Sequence, residues 1–372
     1  MTDRARRLTD RLRGALPAPR HDTHPAGPAT RTAIVGSALA AAASSLTGHL
    51  LPDVGLPAVR TSLRWGARDV DAARWVELQR RRLDRDPPTV AIYLHGYGID
   101  EHNWLAGDAA FIGLEQTLRW TPALVRYNSA RHVASSGAEV SRIVSSLGAL
   151  LPPSTRLVLV GHSLGGLVAR AALAHLVEAG DGALERLTRL VFIATPHNGL
   201  AVEKLLATTE TALAFVDELP RRAVSELRHA TGAQPGHLGW RAAEAAAGVV
   251  PVLPGRAARL HRVMRLRADS LRDLHGGTLA TGVEGPEQVP GHVQCFAVAG
   301  VASQRLSSLP RGVRGDGVVS VWSALGVDGF GDLLGLSGPG RHAEVTPAVH
   351  QAMPAMRQVA DAVGLWVVRT ER

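Results

Sequence analysis

Ser163 stands between glycines two residues away on either side, in Gly161-His162-Ser163-Leu164-Gly165, directly after the apolar run Arg156-Leu157-Val158-Leu159-Val160. A serine hydroxyl is a weak nucleophile in water, so chemistry through it needs exposure at a sharp turn and a general base beside it. Small residues at both offsets meet the first need. They let a strand turn abruptly into a helix without steric clash and leave the hydroxyl at the strand's end. Gly166 doubles the second glycine, and Leu167 to Val177 combine helix formers with apolar residues at helical spacing.

Attack on an acyl carbon creates an oxyanion, which backbone N–H groups stabilise best in a water-poor pocket. His95-Gly96-Tyr97-Gly98 follows the earlier apolar run Val90 to Leu94, and its glycines permit that backbone approach. The expected donors are the amides of Tyr97 and Leu164, with His95 supporting the loop. Thr195-Pro196-His197-Asn198-Gly199 closes a further run at a turn, where His197 reads as another loop support. A carboxylate must fix the tautomer of the base and stabilise its charged form. Asp316, in Gly315-Asp316-Gly317-Val318-Val319, is the favoured acid, with Asp328 and Asp332 as alternatives because Asp-Gly is also an ordinary turn. The base must then come from the C-terminal region, where His342 and His350 qualify. A weak strand at Ala343 to Thr346 and a helix-like segment from Met353 to Val367 favour His350, which would sit in the loop between them.

Short apolar runs that alternate with helical patterns must position these groups: Val90 to Leu94, Ala123 to Tyr127, Leu157 to Val160, Leu190 to Ala194 and Val293 to Ala299. Such alternation predicts an α/β fold, a mostly parallel central sheet with helices on both faces. Ligands then gather beyond the carboxyl ends of the strands. Residues 200–290 interrupt the alternation with alanine- and leucine-rich helical sequence, read as a cap that is either a lid over the site or an extension of the core. The expected division is a basic segment plus an alanine-rich helix over 1–52, then one enlarged domain over 53–372.

Forty-five per cent apolar and 20% charged residues describe a folded protein of 372 residues. The formal charge of +8 is almost wholly arginine, Lys204 being the only lysine. These arginines are scattered, without interleaved aromatics or zinc-ligand spacing, which argues against nucleic acid but is compatible with contact at the periphery of a membrane. Cys295 is alone in the sequence and cannot form an internal disulfide. Residues 32–52 lack Asp, Glu, Lys and Arg, yet are too rich in alanine, serine and glycine for a strong membrane span. The reading is a cytoplasmic protein, with membrane association or export through 32–52 as the alternatives; oligomeric state is left open.

Taken together, His95-Gly96-Tyr97-Gly98, Gly161 to Gly166, Thr195 to Gly199 and Gly315 to Val319 resemble the α/β-hydrolases of lipase and esterase type. The likeness extends to bacterial triacylglycerol lipases and GPI inositol-deacylase-like hydrolases, over about residues 88–368. That resemblance implies hydrolysis of carboxylic esters, on a small-molecule or lipid substrate, with no cofactor and no metal. Gln351-Ala352-Met353-Pro354 departs from the leucine-rich step that follows the histidine in many relatives. Acyl transfer, or thioester or amide cleavage, would use the same triad, and a catalytically silent binding protein on this fold is a further alternative.

Overall fold

The computed structural model describes residues 59–199 and 289–370, apart from 85–86, 106–109, 130, 329–330 and 333. The segment at 32–52 and nearly all of the cap at 200–290 lie outside the described residues.

The apolar runs are strands. β3 (Thr89–Leu94), β4 (Trp120–Arg126), β5 (Arg156–His162), β6 (Leu187–Ile193) and β7 (Gln294–Gly300) form the parallel centre of a sheet. Before them come β1 (Ser62–Trp65) and β2 (Arg68–Val70), which the sequence reading did not predict. A two-residue pair, β8 (Val327–Asp328) with β9 (Gly331–Asp332), stands apart, and β10 (His342–Val345) joins β7 in parallel. Among the described residues the sheet has eight strands in the order β10-β7-β6-β5-β3-β4-β1-β2, with only the β1 pairings antiparallel.

Burial on both faces explains why the central strands read as continuous apolar stretches. Alternate residues of β3 divide between two cores: Val90, Ile92 and Leu94 on one side, Ala91 and Tyr93 on the other. The helices are α1 (Ala72–Leu83), α2 (Ala110–Leu118), α3 (Val133–Leu150), α4 (Leu164–Glu178), the short α5 (Val321–Ala324) and α6 (Arg357–Thr370). α1 begins where the Asp71 carboxylate accepts from the Arg74 amide at 2.7 Å, and it buries Trp75, Gln79 and Leu83 at helical spacing. α4 is buried on almost every side, consistent with its small and apolar residues, and α3 covers it through Gly137 against Ala171. On the other face α2 and α6 carry Phe111, Leu114, Val359 and Val363 into the core, and Trp366 stacks on Phe296. The terminal helix starts at Arg357, later than the predicted Met353. Pro354 lies in a 3₁₀ segment, His350–Ala355, and the extended Met356 separates that segment from α6. No helix among the described residues is long and apolar enough to cross a membrane.

An arginine inside β1 is the reason the first hairpin was not legible. Arg64 is buried, and its Nε donates to Glu101 Oε1 at 2.9 Å. Arg126 completes the clamp from β4, with Nε at 2.8 Å from Glu101 Oε2 and Nη2 at 2.6 Å from Oε1. Glu101 has no exposed surface, so its charge depends wholly on these two guanidinium groups. Neutralising one member of such a buried cluster leaves the others uncompensated. Glu101→Gln is therefore expected to lower unfolding free energy by about 3 kcal/mol, measured by urea denaturation; a loss indistinguishable from zero would show the cluster to be dispensable.

Candidate active site

β5 ends at His162, and Ser163 follows at φ 52° and ψ −122°, a left-handed conformation costly for a residue with a side chain. Two hydrogen bonds hold it: the Ser163 amide donates to the Ile193 carbonyl at 2.8 Å, and its own carbonyl accepts from Gly166 at 3.0 Å. The turn requires glycines by close approach. A Cβ on Gly165 would lie 2.2 Å from the Leu94 carbonyl oxygen, and one on Gly166 would lie 1.9 Å from Thr195 Oγ1. Ser163 is left half-buried at the carboxyl end of the central strand.

The structure brings His350 and Asp316 to this serine. His350 Nε2 lies 2.9 Å from Ser163 Oγ, and its Nδ1 lies 2.7 Å from Asp316 Oδ2. The other carboxylate oxygen, Oδ1, accepts from the amides of Val318 and Val319 at 2.9 and 2.8 Å, so both oxygens of Asp316 are engaged. Gly317, at φ 95°, permits the tight tip that aims those amides inwards. Where β7 ends, Gly300 leaves room for both Asp316 and Met353. A histidine held between a carboxylate and a serine hydroxyl in this way can take the serine proton and carry the resulting charge.

The alternatives are employed elsewhere. His342 is the first residue of β10, where its Nδ1 donates to the Leu336 carbonyl at 2.8 Å. Asp332 accepts from the amides of Leu336 and Ser337, and the backbone of Asp328 in β8 pairs with Gly331 of β9. A cleft of about 470 Å³ lined by Phe296, His342, Trp366 and Arg369 opens beside the first residues of β7 and β10, at the end of the sheet away from Ser163. It contains none of the site residues.

Leu164 opens α4, where a first-turn amide has no acceptor within the helix. Tyr97 lies in the loop after β3, whose conformation is fixed by its neighbours. Gly98, at φ 74°, donates to Ser129 Oγ at 3.2 Å. His95 accepts from the Tyr127 amide on Nε2 at 3.3 Å, so its proton sits on Nδ1 and is donated to the Gly96 carbonyl at 2.9 Å. The Tyr127 ring stacks on the His95 ring, and its hydroxyl donates to the His95 carbonyl. Both side chains are structural, as expected of His95. His197 is likewise buried, with its amide bonded to Ser323 and its Nδ1 accepting from Arg170 at 3.3 Å. Sequence reading passed over His162, Tyr127 and the Arg64–Glu101–Arg126 cluster. The one available signal was the Asp100-Glu101 pair directly behind a glycine loop.

Residues 134–234 match the sequence family described as "Putative serine esterase (DUF676)". That span includes β5, the Ser163 turn and α4. The fold is that of the α/β-hydrolases, and the segment around Ser163 is similar to the serine esterase family. No curated protein matches it in sequence. Solved structures that resemble this chain include the lipase BlEst2 of Bacillus licheniformis in its mature form, at 14% identity over 76% of this chain and 91% of that one, with a TM-score of 0.43. A membrane phospholipase A described as a bacterial virulence factor is 14% identical over 77% and 80% of the two chains, with a TM-score of 0.45. A gene product of Listeria innocua is 15% identical over 75% and 94%, with a TM-score of 0.41. At these values none of them lends its activity or its substrate to this chain.

Burial pushes His95 and His162 below the ordinary histidine value of 6.5, His162 well below it. The unfolded chain would protonate both near that ordinary value while the folded chain keeps them neutral, so the unfolded state binds more protons as the pH falls through 6.5. The urea midpoint is accordingly expected to drop between about pH 7.5 and about pH 5.5, with His95→Gln flattening the slope. A midpoint constant over that interval would contradict this.

Proposed function

We propose that this protein cleaves carboxylic esters of small molecules or lipids through an acyl-enzyme on Ser163. The observation that supports it is the continuous chain of contacts from Ser163 Oγ through His350 to Asp316, at 2.9 and 2.7 Å. His350 removes the hydroxyl proton as Ser163 attacks the ester carbonyl, and Asp316 stabilises the imidazolium that forms. The amides of Tyr97 and Leu164 receive the oxyanion. The alcohol departs with the proton from His350; water, deprotonated by the same imidazole, then releases the acid. Every step uses this chain's own groups. The arginine-rich surface favours a substrate presented at an anionic interface, and residues 32–52 would contribute to any membrane association.

Ser163→Ala is expected to abolish turnover of a p-nitrophenyl ester while leaving the circular dichroism unchanged. Asp316→Asn should reduce kcat by about 10⁴-fold, since the imidazole would lose both its orientation and its counter-charge. Retention of esterase activity by the folded Ser163→Ala variant would overturn the reading.

A further inference from the structure

We propose that His162, the residue before the serine, is a positioning residue that ties the base segment and the oxyanion loop to the nucleophile turn. The proposal rests on the esterase reading above and deepens it.

His162 Nε2 lies 3.0 Å from the backbone carbonyl oxygen of His350, a contact across 188 residues of sequence. A carbonyl can only accept, so Nε2 carries the hydrogen and Nδ1 is left as a lone pair. Nδ1 is buried and has no hydrogen-bond partner. Protonating it would bury both a charge and a donor with nothing to receive it, so the ring is confined to one neutral tautomer. Burial first, and the neighbouring His350 second, hold its pKa down in agreement with that confinement.

The opposite side of the ring meets the oxyanion loop. A Cβ placed on Gly96 would lie 3.0 Å from His162 Nδ1 and 3.2 Å from Ser163 Cβ, so imidazole, nucleophile and loop backbone share one small space. The His162 and His350 rings are 5.0 Å apart at 42°. His350 itself opens a 3₁₀ segment after the extended Val349, whose surface is 53% exposed. Its amide is held by the Asp316 carbonyl at 3.3 Å, a long bond. The bond from His162 adds an anchor on β5, the strand that carries the serine. Since the anchoring ring stays neutral, it places no second positive charge beside His350 when that imidazole takes the serine proton.

The test compares His162→Leu, which fills the space without a donor, with His162→Gln, whose amide nitrogen reaches about the position of Nε2. Readouts are the rate at which a fluorophosphonate probe labels Ser163, kcat and KM on p-nitrophenyl acetate, and the urea midpoint. His162→Leu is expected to slow labelling and kcat by about 10- to 100-fold, with KM changed by less than about threefold, and His162→Gln to recover most of that loss. Equal losses in both variants, or wild-type rates in a folded His162→Leu, would overturn the proposal. Should His162→Leu not fold, His162→Asn takes its place: its shorter amide must be slow where Gln is fast, and equal rates overturn the proposal. Wild-type protein that folds but is never labelled at Ser163 would instead overturn the esterase reading, and this inference with it.

Discussion

Helix α4 lies so close to the strands beneath it that three positions around its start, one in β5 and two in its first turn, can have no side chain. A Cβ on Gly161 would fall 2.4 Å from the Gly166 amide nitrogen, on Gly165 2.2 Å from the Leu94 carbonyl, and on Gly166 1.9 Å from Thr195. This approach forces Ser163 to φ 52°, a cost of order 1–3 kcal/mol in general. The cost is sustained by what surrounds the turn. β5 is flanked by β3 and β6, and α4 is sealed by α3, so neither the strand before the serine nor the helix after it can relax without opening a buried core. The strain is thereby converted into position: the hydroxyl stands at the carboxyl end of β5, where His350 Nε2 lies 2.9 Å away.

His350 and Asp316 come from less regular backbone, and their precision is obtained differently. Asp316 occupies a hairpin-like loop closed by the Gly315 to Ser320 bridge, with its own carboxylate accepting two amides of the same tip. The loop cannot open without leaving a buried carboxylate short of donors, and that couples the conformation of the tip to its charge. The Thr195 to Gly199 loop is stitched to α5 in a similar manner: Ser323 Oγ donates to the Gly199 carbonyl and the His197 amide donates to the Ser323 carbonyl. Loops at the sheet end are thus bonded to one another as well as to the strands.

What was legible in the sequence follows from this division. Strands buried on both faces read as unbroken apolar runs, so β3 to β7 were each located to within a few residues, and the glycine spacing marked the strand-to-helix turn at Ser163. Edge elements were less legible. β1 conceals Arg64, whose partner Glu101 lies 37 residues away, so nothing local in the sequence accounts for that charge inside a strand. β10, with Glu344 paired to Arg311 and Arg314, is polar for the same reason. The preference for Asp316 over Asp328 and Asp332, and for His350 over His342, rested on placement at strand ends, and spacing carried no contact between Asp316 and His350. That contact joins residues 34 apart, on loops that follow β7 and β10.

Asp100, Glu101 and His102 form a buried group whose composition would suit a divalent cation. The guanidinium groups of Arg64 and Arg126 occupy both oxygens of Glu101, while Asp100 accepts the His102 amide at 3.0 Å. Two positive charges already at bonding distance oppose a third, so the group is better understood as a clamp on the chain that leaves the Gly96 to Gly98 loop. That loop is therefore held from both ends: by the ion cluster beyond Gly98 and by the His95–Tyr127 stack before Gly96. Hydrogen-bond donors aimed at a developing charge act most strongly when they need not reorganise. A chain that buries five charged or imidazole side chains behind a four-residue loop has paid for that rigidity in desolvation, and the return is realised only if the loop amides meet a negative charge at the Ser163 hydroxyl.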